Sequence, residues 1–206
     1  MSILKQLVFT PKCLICQRLG VEFCLSCIET IRPFRARDLS EIEFGFCAGE
    51  YSGWLRDAII CYKNGEAKYT ELLSQLLGLT LERFVEVSKL TLIPIPSSQQ
   101  KIKERGFDSM ANLCAKLPSV RQGVQLDAAN LFLRRRVVDQ VGLSAAQRQS
   151  NLSGAFGVRR VVSGTVVLVD DVITTGATMN SAARALKYAG AQRVLALALC
   201  GTPRIR

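Results

Sequence analysis

The stretch "TVVLVDDVITTGATM", residues 165–179, decides how the rest of the chain is read. The segment 164–170, which contains a continuous apolar run, predicts a strand buried on both faces, as in the centre of a parallel sheet. It leads into two adjacent carboxylates, Asp170 and Asp171, and then into the small, hydroxyl-rich turn "ITTGAT". A helix is expected over 177–189, with Met179, Ala182, Ala183 and Leu186 on one face and Gly190 as its stop. In open parallel sheets, ligands bind beyond the carboxyl ends of the strands, which is where the two acids fall. The amides around 174–178 would lack intrahelical partners and would sit in the positive end of the helix dipole. Thr174, Thr175 and Thr178 add hydroxyl donors, and Gly176 allows close backbone approach. That combination makes an anion cradle suited to phosphate. Ionised carboxylates only accept hydrogen bonds, so Asp170 and Asp171 suit sugar hydroxyls or a metal-bridged diol. A sugar phosphate meets both demands. A Walker loop would need a Gly-Lys-Ser/Thr ending and a dinucleotide fold a Gly-x-Gly-x-x-Gly, and neither pattern is present in this stretch.

Upstream, strands and helices alternate. "LTLIPIP" (90–96) reads as a β-rich apolar run ended by prolines, and 108–117 as a helix capped by Asp108 and stopped by Pro118. Strands are expected at 44–52, 130–134 and 193–200. Helices are expected at 53–63, with Leu55, Ile59 and Tyr62 on one face, and from 66 to 87. Asn64-Gly65 marks a turn, and Ser144 with Gln147 forms a capping box. The alternation predicts an α/β fold, a central parallel sheet flanked by helices on both faces.

Four of the eight cysteines form the knuckles "CLIC" (Cys13, Cys16) and "CLSC" (Cys24, Cys27). Two Cys-x2-Cys turns supply four thiolates for a closed, tetrahedral, structural Zn2+. A disulfide suits poorly a chain read as lacking a secretion signal, and a redox pair needs one knuckle rather than two. Cys47, Cys61, Cys114 and Cys200 are scattered in apolar surroundings and read as small core residues. The expected organisation is a zinc module at 1–30, a linker and helical hood at 31–90, and a ligand-binding domain at 91–206. Within the hood, 31–43 is charged and carries Pro33.

The chain has 206 residues, 49% of them hydrophobic, and no run approaches the roughly 18 apolar residues of a membrane span. A cytoplasmic location without membrane insertion is expected. There is no histidine, which removes His-based acid–base catalysis and His-containing metal sites. Residues 1–98 carry 11 basic and 11 acidic side chains, whereas 99–206 carry 16 and 6, so the second half holds the whole net charge of +10. A one-sided positive field suits a polyanionic partner, though a solvated basic face has the same composition.

The 165–179 stretch resembles the phosphoribosyl-pyrophosphate (PRPP) motif of type I phosphoribosyltransferases. The resemblance implies that Asp170 and Asp171 hold the ribose 2′- and 3′-hydroxyls at the catalytic centre. It implies likewise that Thr174, Thr175, Gly176, Ala177 and Thr178 hold the 5′-phosphate. "TLIPIPSS" (91–98) is similar to the pyrophosphate loop of the amidophosphoribosyltransferase branch, with Pro96, Ser97 and Ser98 at its tip. Together with "KIKERGFD" (101–108), "RRRVVDQVGLSAAQRQSNLSGAF" (134–156) and the four-cysteine knuckles, these motifs resemble the ComF family, which includes ComF, ComFC and GntX and is associated with DNA uptake in natural transformation. In that family a Lys-x-x-Gly-Asp segment follows the first helix. Here it reads "YKNGEAKY", with Lys63 one place nearer the glycine and Glu66 in place of the aspartate.

The resemblance implies a Mg2+-assisted PRPP site. Arg105, and Arg148 in an expected mobile loop over 136–149, are candidates for pyrophosphate or lid contacts, and both equally suit solvated surface charges. No residue stands out as a base for an incoming nucleobase. Two classes of function follow. One is a transferase acting on an amine or base. The other is a PRPP-binding module that handles single-stranded DNA through its positive surface and aromatics such as Phe107 and Phe132. A third expectation is that the zinc module docks a partner such as a DNA-uptake helicase or another competence protein.

Overall fold

In the computed structural model the described residues are 11–86, 89–117, 123–134 and 154–202. The chain divides into two compact units, Met1–Arg32 and Pro33–Arg206. The first unit contains the short helix α1 (Leu25–Ile28) and a bridge between Lys12 and Leu19.

The second unit is built on a six-stranded sheet of order β1-β2-β8-β7-β3-β4. Its strands are β1 (Phe34–Arg35), β2 (Gly45–Glu50), β3 (Leu90–Pro94), β4 (Val124–Leu126), β7 (Thr165–Ile173) and β8 (Arg193–Gly201). Every pairing is parallel except β1 with β2 at one edge. A separate antiparallel pair joins β5 (Leu131–Leu133) and β6 (Phe156–Val158). The 130–134 segment therefore forms a strand, but outside the parallel sheet. The 31–43 segment supplies β1, and its backbone amide at Ala36 bonds Gly45 O.

The helices are α2 (Gly53–Lys63), α3 (Tyr69–Phe84), α4 (Gln99–Arg105), α5 (Ser109–Cys114) and α6 (Ala177–Tyr188). Helices cover both faces of the sheet. Met179, Ala182, Ala183 and Leu186 of α6 pack in one cluster with Val166, Leu168, Val194, Ala196 and Ala198. Because strand side chains alternate, the buried Val167, Val169, Leu195, Leu197 and Leu199 point to the opposite face, where α3 and α5 lie against the sheet. Both central strands are thus apolar at nearly every position, which explains the unbroken runs in the sequence. The capping box at Ser144, the 136–149 loop and Pro118 lie outside the described residues. Among the described residues no helix is long and apolar enough to cross a membrane.

The strand order reverses between β3 and β7. From β3 the chain passes through α5 to β4 on one side, and from β7 through α6 to β8 on the other. The carboxyl ends of these two neighbours therefore flank a crevice of the kind that binds ligands in open α/β sheets.

Candidate functional site

β3 and β7 stay paired as far as Pro94 and Val169, and Ile95 N–H then bonds Val169 O at 2.8 Å. Beyond that point β7 runs on to Ile173 beside β8 alone. Asp170 and Asp171 are the first residues of this half-flanked extension, so they stand at the mouth of the crevice. The Asp171 amide donates to Asp170 Oδ1 at 2.8 Å. Burial pushes the Asp170 carboxyl well above the usual carboxylate range, and the neighbouring Asp171 and Asp108 charges add to it. The Asp171 amide and the Lys63 ammonium act in the opposite direction.

Lys63 forms an ion pair with Asp171. This contact brings the "YKNGE" segment to the site, which the sequence did not reveal. Lys63 closes α2, and the helix end is held by Tyr62, whose hydroxyl donates to Ser109 O at 2.9 Å and accepts from Asn112 Nδ2 at 2.9 Å. The Tyr62 ring meets Phe107 edge-on at 5.5 Å, so Phe107 is engaged in packing. Glu66 turns instead to Lys68, at 2.8 Å.

After β7 the chain turns through 174–176 into α6. Gly176 is the helix N-cap, with φ 71°, and a Cβ there would stand 2.7 Å from Asp38 O. Any other residue would meet both the left-handed backbone and a wall of main chain. The wall is the 38–41 segment, clamped by Asn180, whose Nδ2 donates to Asp38 O at 2.8 Å and whose Oδ1 accepts from Glu41 N at 3.0 Å. Among the described residues the amides of Thr174, Thr175 and Gly176 have no partner, and Ala177 N–H reaches only Thr175 Oγ1 at 3.5 Å. Thr174 is exposed, and Thr175, Ala177 and Thr178 are half-buried. The turn therefore offers consecutive free donors at the start of a 12-residue helix, the arrangement that receives an anion.

The turn after β3 differs. Pro96, Ser97 and Ser98 are half-buried at its tip. The Ser97 amide donates to Asp108 Oδ2 at 3.3 Å, and its hydroxyl lies 3.5 Å from Asp108 Oδ1. Ser98 caps α4, accepting from Lys101 N at 3.3 Å. Asp108 is the N-cap expected from the sequence, accepting from Met110 N and Ala111 N at 3.1 and 3.2 Å, but its hold on Ser97 was not legible there. Arg105, in the last turn of α4, is half-buried and has no partner among the described residues. Arg148 lies outside the described residues.

In the first unit, Cys13, Cys16, Cys24 and Cys27 bring their sulfurs within 4.8 Å of one another. Cys24 Sγ lies 3.7 Å from both Cys13 Sγ and Cys16 Sγ. A tetrahedron with Zn–S bonds of about 2.3 Å has edges of about 3.8 Å, so the cluster fits a closed four-thiolate zinc site. The Cys13 knuckle is shaped by Cys13 N–H to Arg18 O at 2.8 Å and Gln17 N–H to Cys13 O at 2.9 Å. Of the remaining cysteines, Cys47, Cys114 and Cys200 are buried, and burial raises each thiol pKa, to about 12 at Cys47. Cys61 is half-buried, and its contact with Glu66 also raises its pKa. All four are thereby kept as thiols and are poor nucleophiles.

Residues 131–204 match the phosphoribosyl transferase domain family. DNA utilization protein YhgH of Escherichia coli O157:H7 is 33% identical over 144 residues, which covers 66% of this chain and 63% of that relative. Competence protein F of Haemophilus influenzae is 33% identical over 111 residues, 50% of this chain and 46% of the relative. Competence protein ComFC of Bacillus subtilis is 23% identical over 143 residues, 68% of this chain and 56% of the relative. The matched stretch thus spans less than two thirds of each of these proteins. With its parallel sheet, its acid-and-loop crevice and its four-cysteine cluster, the chain is similar to these DNA-utilization and competence proteins, and its residues 131–204 match the phosphoribosyl transferase domain.

Proposed function

We propose that this chain binds PRPP in the crevice between β3 and β7 and acts in DNA uptake during natural transformation, handling single-stranded DNA. The observation that carries the PRPP reading is the adjacency of Asp170 and Asp171 to three consecutive free amides at the mouth of α6. The carboxylates would accept from the ribose 2′- and 3′-hydroxyls while the 174–178 turn takes the 5′-phosphate. The pyrophosphate would then lie toward Pro96, Ser97 and Ser98, with Arg105 and Arg148 as candidate cations. Mg2+ would arrive with the pyrophosphate oxygens and neutralise their charge. The names of the relatives support the uptake role.

The single-stranded DNA reading is favoured by the β5–β6 ribbon. Phe132 lies across Gly157, where a Cβ would approach its ring to 2.5 Å, and Arg159 stands over the same ring at 4.7 Å. The exposed Arg134 borders the same glycine. A cationic, partly aromatic ribbon is suited to phosphates and stacked bases. The alternative is an active phosphoribosyltransferase, similar to the amidophosphoribosyltransferase branch. There an acceptor would bond to ribose C1 as pyrophosphate leaves with the electron pair of the C1–O bond. A docking role for the zinc unit, toward a DNA-uptake helicase or another competence protein, is a further part of the proposal.

Calorimetric titration of PRPP with Mg2+ tests the central reading, with the Asp170→Asn/Asp171→Asn double variant as control. Heat in the wild type that vanishes in the variant supports it, and equal binding by both removes the site. Pyrophosphate release that requires an added amine or base would favour the transferase. Binding of a single-stranded oligonucleotide should weaken at least about tenfold between roughly 50 and 200 mM salt.

A further inference from the structure

We propose that Lys63 is a positioning residue for the carboxylate pair: its ammonium fixes Asp171 and favours the ionised, acceptor form of the acids that a sugar diol needs. This inference rests on the sugar-phosphate reading given above. Two neighbouring carboxylates in a partly buried crevice repel one another, and the site contains a third acid, Asp108, close enough to be felt by Asp170. A protonated carboxyl would turn one acceptor oxygen into a donor and so lose part of its fit to a diol.

The groups facing the pair come from several elements. Asp108 caps α5, Cys114 lies within α5, Cys200 lies on β8 with its Sγ 3.5 Å from Asp171 O, and Lys63 ends α2. The two thiols remain neutral, so among the described residues Lys63 alone brings positive charge into direct contact with the acids. Its side chain is 26% exposed and that of Asp171 is 19% exposed, so water screens this pair less than the ion pairs on the outer surface.

Lys63 is also held in place. Tyr62, the preceding residue, binds Ser109 O and Asn112 on α5, and α5 begins at the Asp108 that grips Ser97. The end of α2, the start of α5 and the turn after β3 are therefore one hydrogen-bonded frame around the acids. A surface lysine that merely happened to reach Asp171 would not need such an anchor.

The test compares Lys63→Met, a second neutral variant Lys63→Gln, and Lys63→Arg with the wild type. The first readout is the pH titration of 13C-labelled aspartate carboxyls. The apparent midpoint of Asp170 should rise by about one pH unit in both neutral variants and stay near the wild-type value in Lys63→Arg. The second is PRPP binding, which should weaken about tenfold near pH 7 in Lys63→Met and recover as pH rises toward about 9, while Lys63→Arg stays within about threefold. An unchanged carboxyl midpoint in both neutral variants overturns the proposal, as does an Arg variant as damaged as the Met variant. A shifted midpoint in a protein that binds no PRPP leaves the electrostatic role of Lys63 standing and removes the sugar-phosphate reading alone.

Discussion

The two turns that flank the crevice are built in opposite ways. After β3, the polar groups of the turn are spent on the framework, Ser97 on Asp108 and Ser98 on the cap of α4. After β7, the amides of 174–176 are free, and the shape of the turn is imposed from outside by the 38–41 backbone and Asn180. The first turn thus carries its own support, while the second leaves its donors available and borrows its support from another segment. A loop can present unsatisfied donors only if something else pays for its conformation.

The largest expected effect comes from the acids beside the open turn. Asp170→Asn/Asp171→Asn should lower PRPP affinity by at least about 100-fold by calorimetry, with the circular dichroism of the fold retained. Gly176→Ala attacks the borrowed support. It places a methyl against Asp38 O in a left-handed backbone, and should cost about 1–3 kcal/mol in urea unfolding along with most of the PRPP binding. If it is neutral, the two turns do not differ as described.

Asp108→Ala probes the self-supporting turn. Loss of the α5 cap should cost about 0.5–2 kcal/mol, and PRPP binding should fall less than with the acid variants. A smaller effect sharpens the electrostatics. Because the folded protein raises the Asp170 pKa, the native state binds more protons than the unfolded chain above the ordinary carboxylate range. The cost is absent at low pH and grows as pH rises toward the raised value. Asp170→Asn should therefore match the wild type in unfolding free energy near pH 4 and exceed it near pH 8, by on the order of 1 kcal/mol. A gap that shrinks with pH would reverse that sign. Metal analysis of protein purified without chelator should find about one zinc per chain, since the four sulfurs leave no open position.

Long periodic segments were legible in the sequence. The apolar run before Asp170, the Met179–Leu186 stripe, the 53–63 helix and the two cysteine knuckles each carry their pattern within a few turns of chain. The short β5 was legible as well, but other short elements were not. β4 is three residues whose strand character comes from pairing with β3, and β1 lies in a charged, proline-bearing segment that gains its structure from β2. At the site, the free amides could be expected from a strand-turn-helix pattern, whereas Lys63 could not. Its link to Asp171 spans more than a hundred residues and depends on how α2 is anchored to α5. Asp108 was read correctly as a cap because capping is local, and its grip on Ser97 was missed because that bond is made by the fold.

The position of β8 bears on how the protein reaches this structure during synthesis. It is the last of the six sheet strands to leave the ribosome, yet it lies between β2 and β7. Until residues 193–201 emerge, β2 has no parallel neighbour and one edge of its backbone stays unpaired. Completion of the sheet is thus a late, long-range event, and a ribosome stalled before this strand would hold a chain prone to aggregation.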